Sequence, residues 1–347
     1  MYRTVEVRFK IVRNGADFGE IYALPSSTPT LRMDDQGEIK TSLSGTFALS
    51  PDVNWFSDMI RPELWIDGTP HPLGLFLPAT VSDNEDETTK SVNVEAYDRC
   101  WLLRDTYTEN LLYFPAGTKY TTAVQQLLTG AGVTAANVTQ SAATLTEDRE
   151  DWPIGTSYLE IANQLLSEIN YNPVWFDASG MAIIEPASLP LGGALDHTLT
   201  DEDVRSLLLP QISKQTDAYM AANVIICICS NADKDADLVA TAENTNPDSP
   251  LSIVRRGRRI CRIEQVDNIA SQEELQAYAN RLRNETMLLG ETITVSTGLL
   301  PGFGVADVTA LHYGDLAALC VERGWSMELV TGGTMTHRLE RVVIALG

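Results

Sequence analysis

Ser271-Gln272-Glu273-Glu274-Leu275-Gln276-Ala277-Tyr278-Ala279-Asn280-Arg281-Leu282-Arg283 opens as a capping box, with a serine followed three residues later by a glutamate. Leu275, Tyr278, Ala279, Leu282 and Leu289 recur at helical spacing and mark one apolar side, with Arg281, Arg283 and Glu285 mainly outside. Gly290 ends the pattern, so a helix is expected over 271–289. Glu291-Thr292-Ile293-Thr294-Val295 then alternates like a strand. A turn-rich stretch follows, Leu300-Pro301-Gly302-Phe303-Gly304-Val305-Ala306-Asp307-Val308. The last strong pattern is a hairpin from Gly324 to Val343 around Gly332-Gly333. One capped helix among strands makes this end of the chain mainly β.

Working back from the helix, Val224–Cys229 and Ser252–Val254 read as strands. The polar stretch Ser230 to Pro250 between them reads as a long mobile loop. Residues 1–100 read as short strands: Val5–Val12, Ile39–Leu49, Leu64–Ile66, Leu73–Leu77 and Ser91–Tyr97. Their punctuation is Arg13-Asn14-Gly15, Asp34-Asp35-Gln36-Gly37, Asp67-Gly68 and the charged loop Ser82–Glu87. A short helix is expected after Ser50 as N-cap and Pro51, burying Trp55, Met59 and Ile60. Residues 101–200 change character. Thr122-Ala123-Val124-Gln125 and Ser157-Tyr158-Leu159-Glu160 are capping boxes. Val174-Trp175-Phe176 and Met181–Ile184 flank the turn Asp177–Gly180 as a hairpin. The expected class is α+β, mainly β: two antiparallel barrel-like domains, 1–100 and 201–347, with a small α+β domain, 101–200, inserted.

With 347 residues and 44% hydrophobic content, the chain can bury several cores. No apolar run approaches the ~20 residues of a membrane span, so direct membrane insertion is not expected. The alternating start Met1–Phe9 is unlike the apolar core of a signal peptide. A formal net charge of −22 argues against gripping nucleic acid, which needs clustered Lys and Arg. It does not argue against a surface that nucleic acid passes without sticking, through a field screened over about 8 Å at physiological salt, but charge alone favours simple solubility.

The search for chemistry returns no catalytic, cofactor-binding or metal-binding residues. Cys100, Cys227, Cys229, Cys261 and Cys320 match no zinc spacing. Cys227 and Cys229 face one side of a strand and read as small buried hydrophobes. Asp233-Lys234-Asp235-Ala236-Asp237 starts like a calcium loop, but Leu238 and Asn244 stand where glycine and glutamate belong. Arg255-Arg256-Gly257-Arg258-Arg259, with Arg262, is the one dense basic run. It reads as a charged hairpin edge or as a contact with an acidic partner. His71, His197, His312 and His337 form no metalloprotease, hydrolase or phosphate-loop motif. The sequons at Asn137 and Asn284 carry little without a secretory signal.

The order of helix, strand, turn and hairpin after Ser271 resembles the end of phage tail hub proteins: the late control protein D family, baseplate hubs, and the hub portion of tail-associated lysins. Arg61–Gly68 followed by Leu73-Gly74-Leu75-Phe76, the strand end Glu95-Ala96-Tyr97-Asp98-Arg99, and Gly155–Tyr171 with Trp175-Phe176 are similar to other hub segments. The resemblance implies a structural homotrimer, not an enzyme, whose ring joins a hexameric tail tube to a three-fold spike or fibre and lets DNA pass. Its implied partners are a tail tube or distal tail protein, a spike, fibre or tail lysin, and the tape measure protein. No cofactor and no sequence-specific nucleic acid are implied. The location is the virion tail, with host cytoplasm before assembly. The rival reading is a cell-wall-binding or cell-wall-degrading tail protein, either an adhesin or a hydrolase.

Overall fold

The computed structural model describes residues 3–85, 90–187, 195–202, 207–215, 222–229, 238–249, 251–266, 269, 271–288 and 291–341. In the first segment the strands are β1 (Val5–Arg13), β2 (Ala16–Ile21), β3 (Thr30–Asp34), β4 (Thr41–Ala48), β5 (Met59–Ile66), β6 (Thr69–Pro72), β7 (Leu77–Glu85) and β8 (Lys90–Tyr97). Asn14-Gly15 and Asp67-Gly68 all take positive φ, the backbone needed by two-residue hairpin turns, and so connect β1 to β2 and β5 to β6. The order β2-β1-β5-β6 makes one four-stranded sheet.

No helix follows Pro51. The Asp58 carboxylate instead accepts the Asn54 N–H at 2.8 Å, and Asn54 Oδ1 accepts the Phe56 N–H at 3.1 Å, fixing a turn. Met59 and Ile60 belong to β5. Leu73–Leu77 is mostly loop, because Gly74 adopts φ 126° where a strand cannot continue. Ser82–Glu85 is strand rather than loop, and the rest of that expected loop lies outside the described residues.

The middle segment holds α1 (Cys100–Asp105), α2 (Tyr120–Gly130), β9 (Ala136–Val138), α3 (Tyr158–Glu168), β10 (Trp175–Phe176) and β11 (Ala182–Ile184). The Ser157 hydroxyl accepts the Glu160 N–H at 3.2 Å, as its capping box requires. The Thr122 box does not cap: α2 begins two residues earlier, behind Lys119, because Tyr120 and Thr121 are drawn into the core. Trp175–Phe176 and Ala182–Ile184 form the expected hairpin. Leu127, Leu128, Leu159, Leu165 and Val174 close a core of this segment, against which Ile39 of the first segment also packs.

The last segment holds β12 (His197–Thr200), β13 (Leu208–Gln215), β14 (Val224–Cys229), β15 (Leu238–Glu243), α4 (Ile253–Arg256), β16 (Cys261–Val266), α5 (Gln272–Leu288), β17 (Thr292–Gly298), β18 (Val308–Tyr313), β19 (Leu316–Glu328) and β20 (Thr334–Arg341). Ser230–Pro250 is not one long loop. Leu238–Glu243 within it is β15, drawn into register with β14, and residues 230–237, with the calcium-like motif, lie outside the described residues. Ser252–Val254 is not a strand: Ser252 caps α4, and Gly257 at φ 63° ends it. The sheet β15-β14-β16 packs Ile225, Cys227 and Cys229 against Leu275, Ala279 and Leu282 of α5, a third core. Ser271 Oγ accepts the Glu274 N–H at 3.2 Å. Arg281, Arg283 and Glu285 are half-buried rather than outside, because one end of α5 borders a cleft. Leu289 and Gly290 lie outside the described residues.

The first and last segments meet in a ten-stranded sheet. Its main path is β13-β17-β20-β19-β3-β4-β8-β7, with β12 and β18 joined through β19. The fold is therefore α+β and mainly β, with antiparallel sheets and few helices. Phe9, Leu31, Phe47 and Phe76 share one core with Ile293, Leu311, Met327 and Leu339. The meeting point is the pair β3–β19. Beside it, the extra residue Arg323 makes a bulge of β19 against β20, and its guanidinium reaches Asp35 at 2.8 Å and Glu340 at 2.5 Å. A Cβ at Gly324 would lie 2.9 Å from the Met33 carbonyl oxygen, so the two strands close only over glycine.

Candidate functional site

Three strands of the large sheet pair on one side only among the described residues: β13 and β7 at the ends of its main path, and β12 beside β18. Unpaired N–H and C=O groups along such an edge are a template for another strand. β13 contains Pro210 and β7 contains Pro78, and each register slips beside its proline. β13 carries Lys214 and no acid, while β7 carries Asp83 and Glu85, with Glu85 paired to Lys90 across the hairpin.

Two clefts of about 640 Å³ lie where the units meet. The first is mainly apolar, walled by Leu73, Trp175, Phe303 and Trp325, with His71 and Ser179 at its margin. The second gathers Lys40, Arg262, Arg281, Arg323 and Arg338, yet these cations are already engaged. Arg338 lies 2.9 Å from Asp34, Arg262 lies 2.5 Å from Glu264, and Lys40 Nζ donates to the carbonyls of Asp35 and Gly37. Burial lowers the Lys40 pKa.

A constellation missed in the sequence sits on inward strand positions. His337 Nδ1 lies 2.7 Å from Glu322 Oε2, and His337 Nε2 lies 3.1 Å from Thr297 Oγ1. The Thr297 hydroxyl donates to the Gly298 carbonyl at 2.8 Å, so Nε2 supplies the proton to Thr297. One further proton lies between Nδ1 and Oε2, which leaves the pair neutral overall. Burial raises the Glu322 pKa. The order acid–histidine–hydroxyl is that of a nucleophilic triad, but all three residues are 0% exposed and the hydroxyl proton is committed elsewhere. The readable signal was polar residues at every-second inward positions, Cys320-Glu322 and Met335-His337-Leu339. Phe303 stacks on His197 with centroids at 3.8 Å and lies tilted against His337 at 4.6 Å. His197 Nε2 lies 2.9 Å from Asp307 Oδ2, which pins the turn before β18.

The remaining sequence candidates stay apart. His312 pairs with Ala317 on β18–β19. Cys100, Cys227, Cys229 and Cys320 are buried and only Cys261 is exposed; burial pushes the Cys227 thiol up to about 11 and the Cys320 thiol up to about 12. Arg255 and Arg259 are held by the Pro247 carbonyl and Glu243, at α4 rather than on a hairpin. Among the described residues no group of His, Cys, Asp and Glu is placed to hold a metal. No helix among them is long and apolar enough to cross a membrane.

No protein-family model matches the sequence, and no curated protein matches it significantly. Solved structures do. The fold is similar to the tail protein from Neisseria meningitidis MC58, with a TM-score of 0.65, 13% identity and 96% of each chain covered. It is similar to the 43 kDa tail protein of prophage MuSo2 from Shewanella oneidensis, with a TM-score of 0.67, 11% identity, and 97% of this chain and 98% of that one covered. The E. coli c3393 protein, a component of the type VI secretion system, aligns with a TM-score of 0.54 and 11% identity, over 96% of this chain and 76% of that one. The chain thus has the fold of phage tail proteins over nearly its whole length.

Proposed function

We propose that this chain is a structural component of a phage or phage-derived tail tip, a hub whose three copies close a ring between a tail tube and a three-fold spike or fibre. The observation that carries this reading is the full-length fold likeness to tail proteins, together with a ten-stranded sheet whose main path ends in the unlike strands β13 and β7. A head-to-tail contact between unlike edges closes into a ring when the rotation allows it. In this reading 1–100 and 201–347 supply two tube-type domains, 101–200 is the inserted one, and the neighbours are a tube or distal tail protein, a spike or lysin, and the tape measure protein. The chain works in the virion tail after assembly from the host cytoplasm, and it performs no catalysis.

The charge of −22 supports a bore that repels DNA, and it also opposes assembly of three like-charged subunits. Self-association should therefore strengthen with added salt. Light scattering across a salt and concentration series, then with the tube and spike proteins present, tests this. A trimer is expected. A stable two-fold dimer under all these conditions, or tight binding to duplex DNA at physiological salt, sinks the reading.

A further inference from the structure

Four large apolar side chains of the middle segment stand in solvent on one strip: Tyr107 at 50%, Leu111 at 59%, Tyr113 at 51% and Ile154 at 69% exposure. They lie on two stretches running antiparallel. Tyr107 bridges Ser157, Phe114 bridges Arg149, and the Thr108 N–H donates to the Thr156 carbonyl at 3.0 Å. The strip is stiffened from below. Buried Arg149 bonds Glu168 and Asp151, each at 2.8 Å, and its guanidinium lies over the Trp152 ring. Trp152 in turn packs edge-on against Phe114. Asp148 Oδ1 accepts the Ala116 N–H at 2.8 Å. Side chains held this way lose little freedom on binding, which favours recognition.

The rim is acidic. Asp105, Glu109, Glu147 and Glu150 are exposed on the same two stretches. Of the cations on these stretches, Arg104 lies 3.6 Å from Glu38 and Arg149 is buried against Glu168 and Asp151, while exposed Lys119 stands beyond the strip where it bridges Thr144. Apolar rings ringed by carboxylates complement a surface that is both apolar and positively charged.

We infer that this strip docks a cationic segment of a partner protein, one that presents Lys or Arg alternating with apolar side chains. The apolar side chains cover Tyr107, Leu111, Tyr113 and Ile154, and the cations meet the carboxylate rim. An acidic partner would be repelled. A neutral glycan would use the tyrosine rings but leave the carboxylates without a counter-charge. The inference is independent of ring closure, since the strip lies on neither sheet edge.

The test is fluorescence anisotropy with the full chain and a labelled peptide alternating arginine and leucine, at physiological salt. Tyr113→Ser with Ile154→Ser should weaken binding about tenfold or more, the size expected for truncating anchors at a hot spot. The same paired change at another exposed apolar site, Val239→Ser with Ile263→Ser, should shift it less than about twofold, given its distance from the strip. Glu109→Gln with Glu150→Gln should weaken binding and flatten its salt dependence. Equal losses from both serine pairs, or none from either, would reduce the binding to the overall charge and overturn the inference. Tighter binding of a glutamine–leucine peptide or of soluble peptidoglycan fragments would overturn it too.

Discussion

The β3–β19 joint and the middle segment are held together in opposite ways. At the joint, residues almost three hundred positions apart pair backbone to backbone, Gly324 with Asp34 through Glu328 with Thr30. The contact needs a glycine, a bulge and ion pairs brought from three strands. In the middle segment, α1, α2, α3 and a short hairpin close a core within fewer than ninety consecutive residues. Local contacts cost little loop closure, whereas distant pairing must offset its closure entropy before it stabilises anything. The difference predicts two units that respond separately to perturbation.

The largest effect should come from Arg149→Ala. It leaves the Glu168 carboxylate, 2% exposed, without its cation, at a cost of about 3–5 kcal/mol. Hydrogen exchange should quicken in α2 and α3 while the amides of β3 and β19 keep their protection. Equal loss in both places would erase the distinction. Leu31→Ala acts on the other side of the comparison. Leu31 is fully buried between Leu43 and Met327, and its truncation should cost about 2–5 kcal/mol. Urea unfolding should then show β3, β4, β19 and β20 losing protection together, with the middle segment unaffected.

The α5 unit gives a graded pair. Leu282→Ala, against Ile225 and the buried cysteines, should cost about 2–5 kcal/mol. Ser271→Ala removes one cap acceptor and should cost about 1 kcal/mol. Melting curves in which Leu282→Ala is the milder change would refute the facing of this helix. The smallest effect is in acid. The Arg13 guanidinium, bonded to both Asp58 oxygens, holds the Asp58 pKa below its ordinary value. A lowered folded pKa means stability present above the usual carboxylate range and lost as pH falls through the folded value. Asp58→Asn should flatten the acid limb of a stability–pH curve, and an unchanged limb would remove Asp58 from the account.

Legibility followed the same division. Ser157 and Ser271 cap as their capping boxes indicate, the Trp175–Phe176 hairpin forms, and Cys227 and Cys229 share a buried face. Each of these rests on residues within a few positions of one another. The misreadings came where a distant partner intervened. Asp58 and Arg13 turned an expected helix after Pro51 into a turn, and β14 drew Leu238–Glu243 out of an expected loop. The exposed strip on the middle segment was equally hidden, since Tyr107 and Ile154 become neighbours only when two loops run side by side.

The sequence by itself determined the class of elements, because backbone preference, capping and alternation act over a few residues. It also determined the acidic character and the absence of recognised catalytic motifs. Tertiary structure alone decided that the first and last segments share one sheet and one core. It alone buried Glu322, His337 and Thr297 beyond the reach of a substrate and set β7 and β13 at opposite ends of the main sheet path. Strand pairing between distant segments depends on register and close backbone approach, which no local pattern encodes.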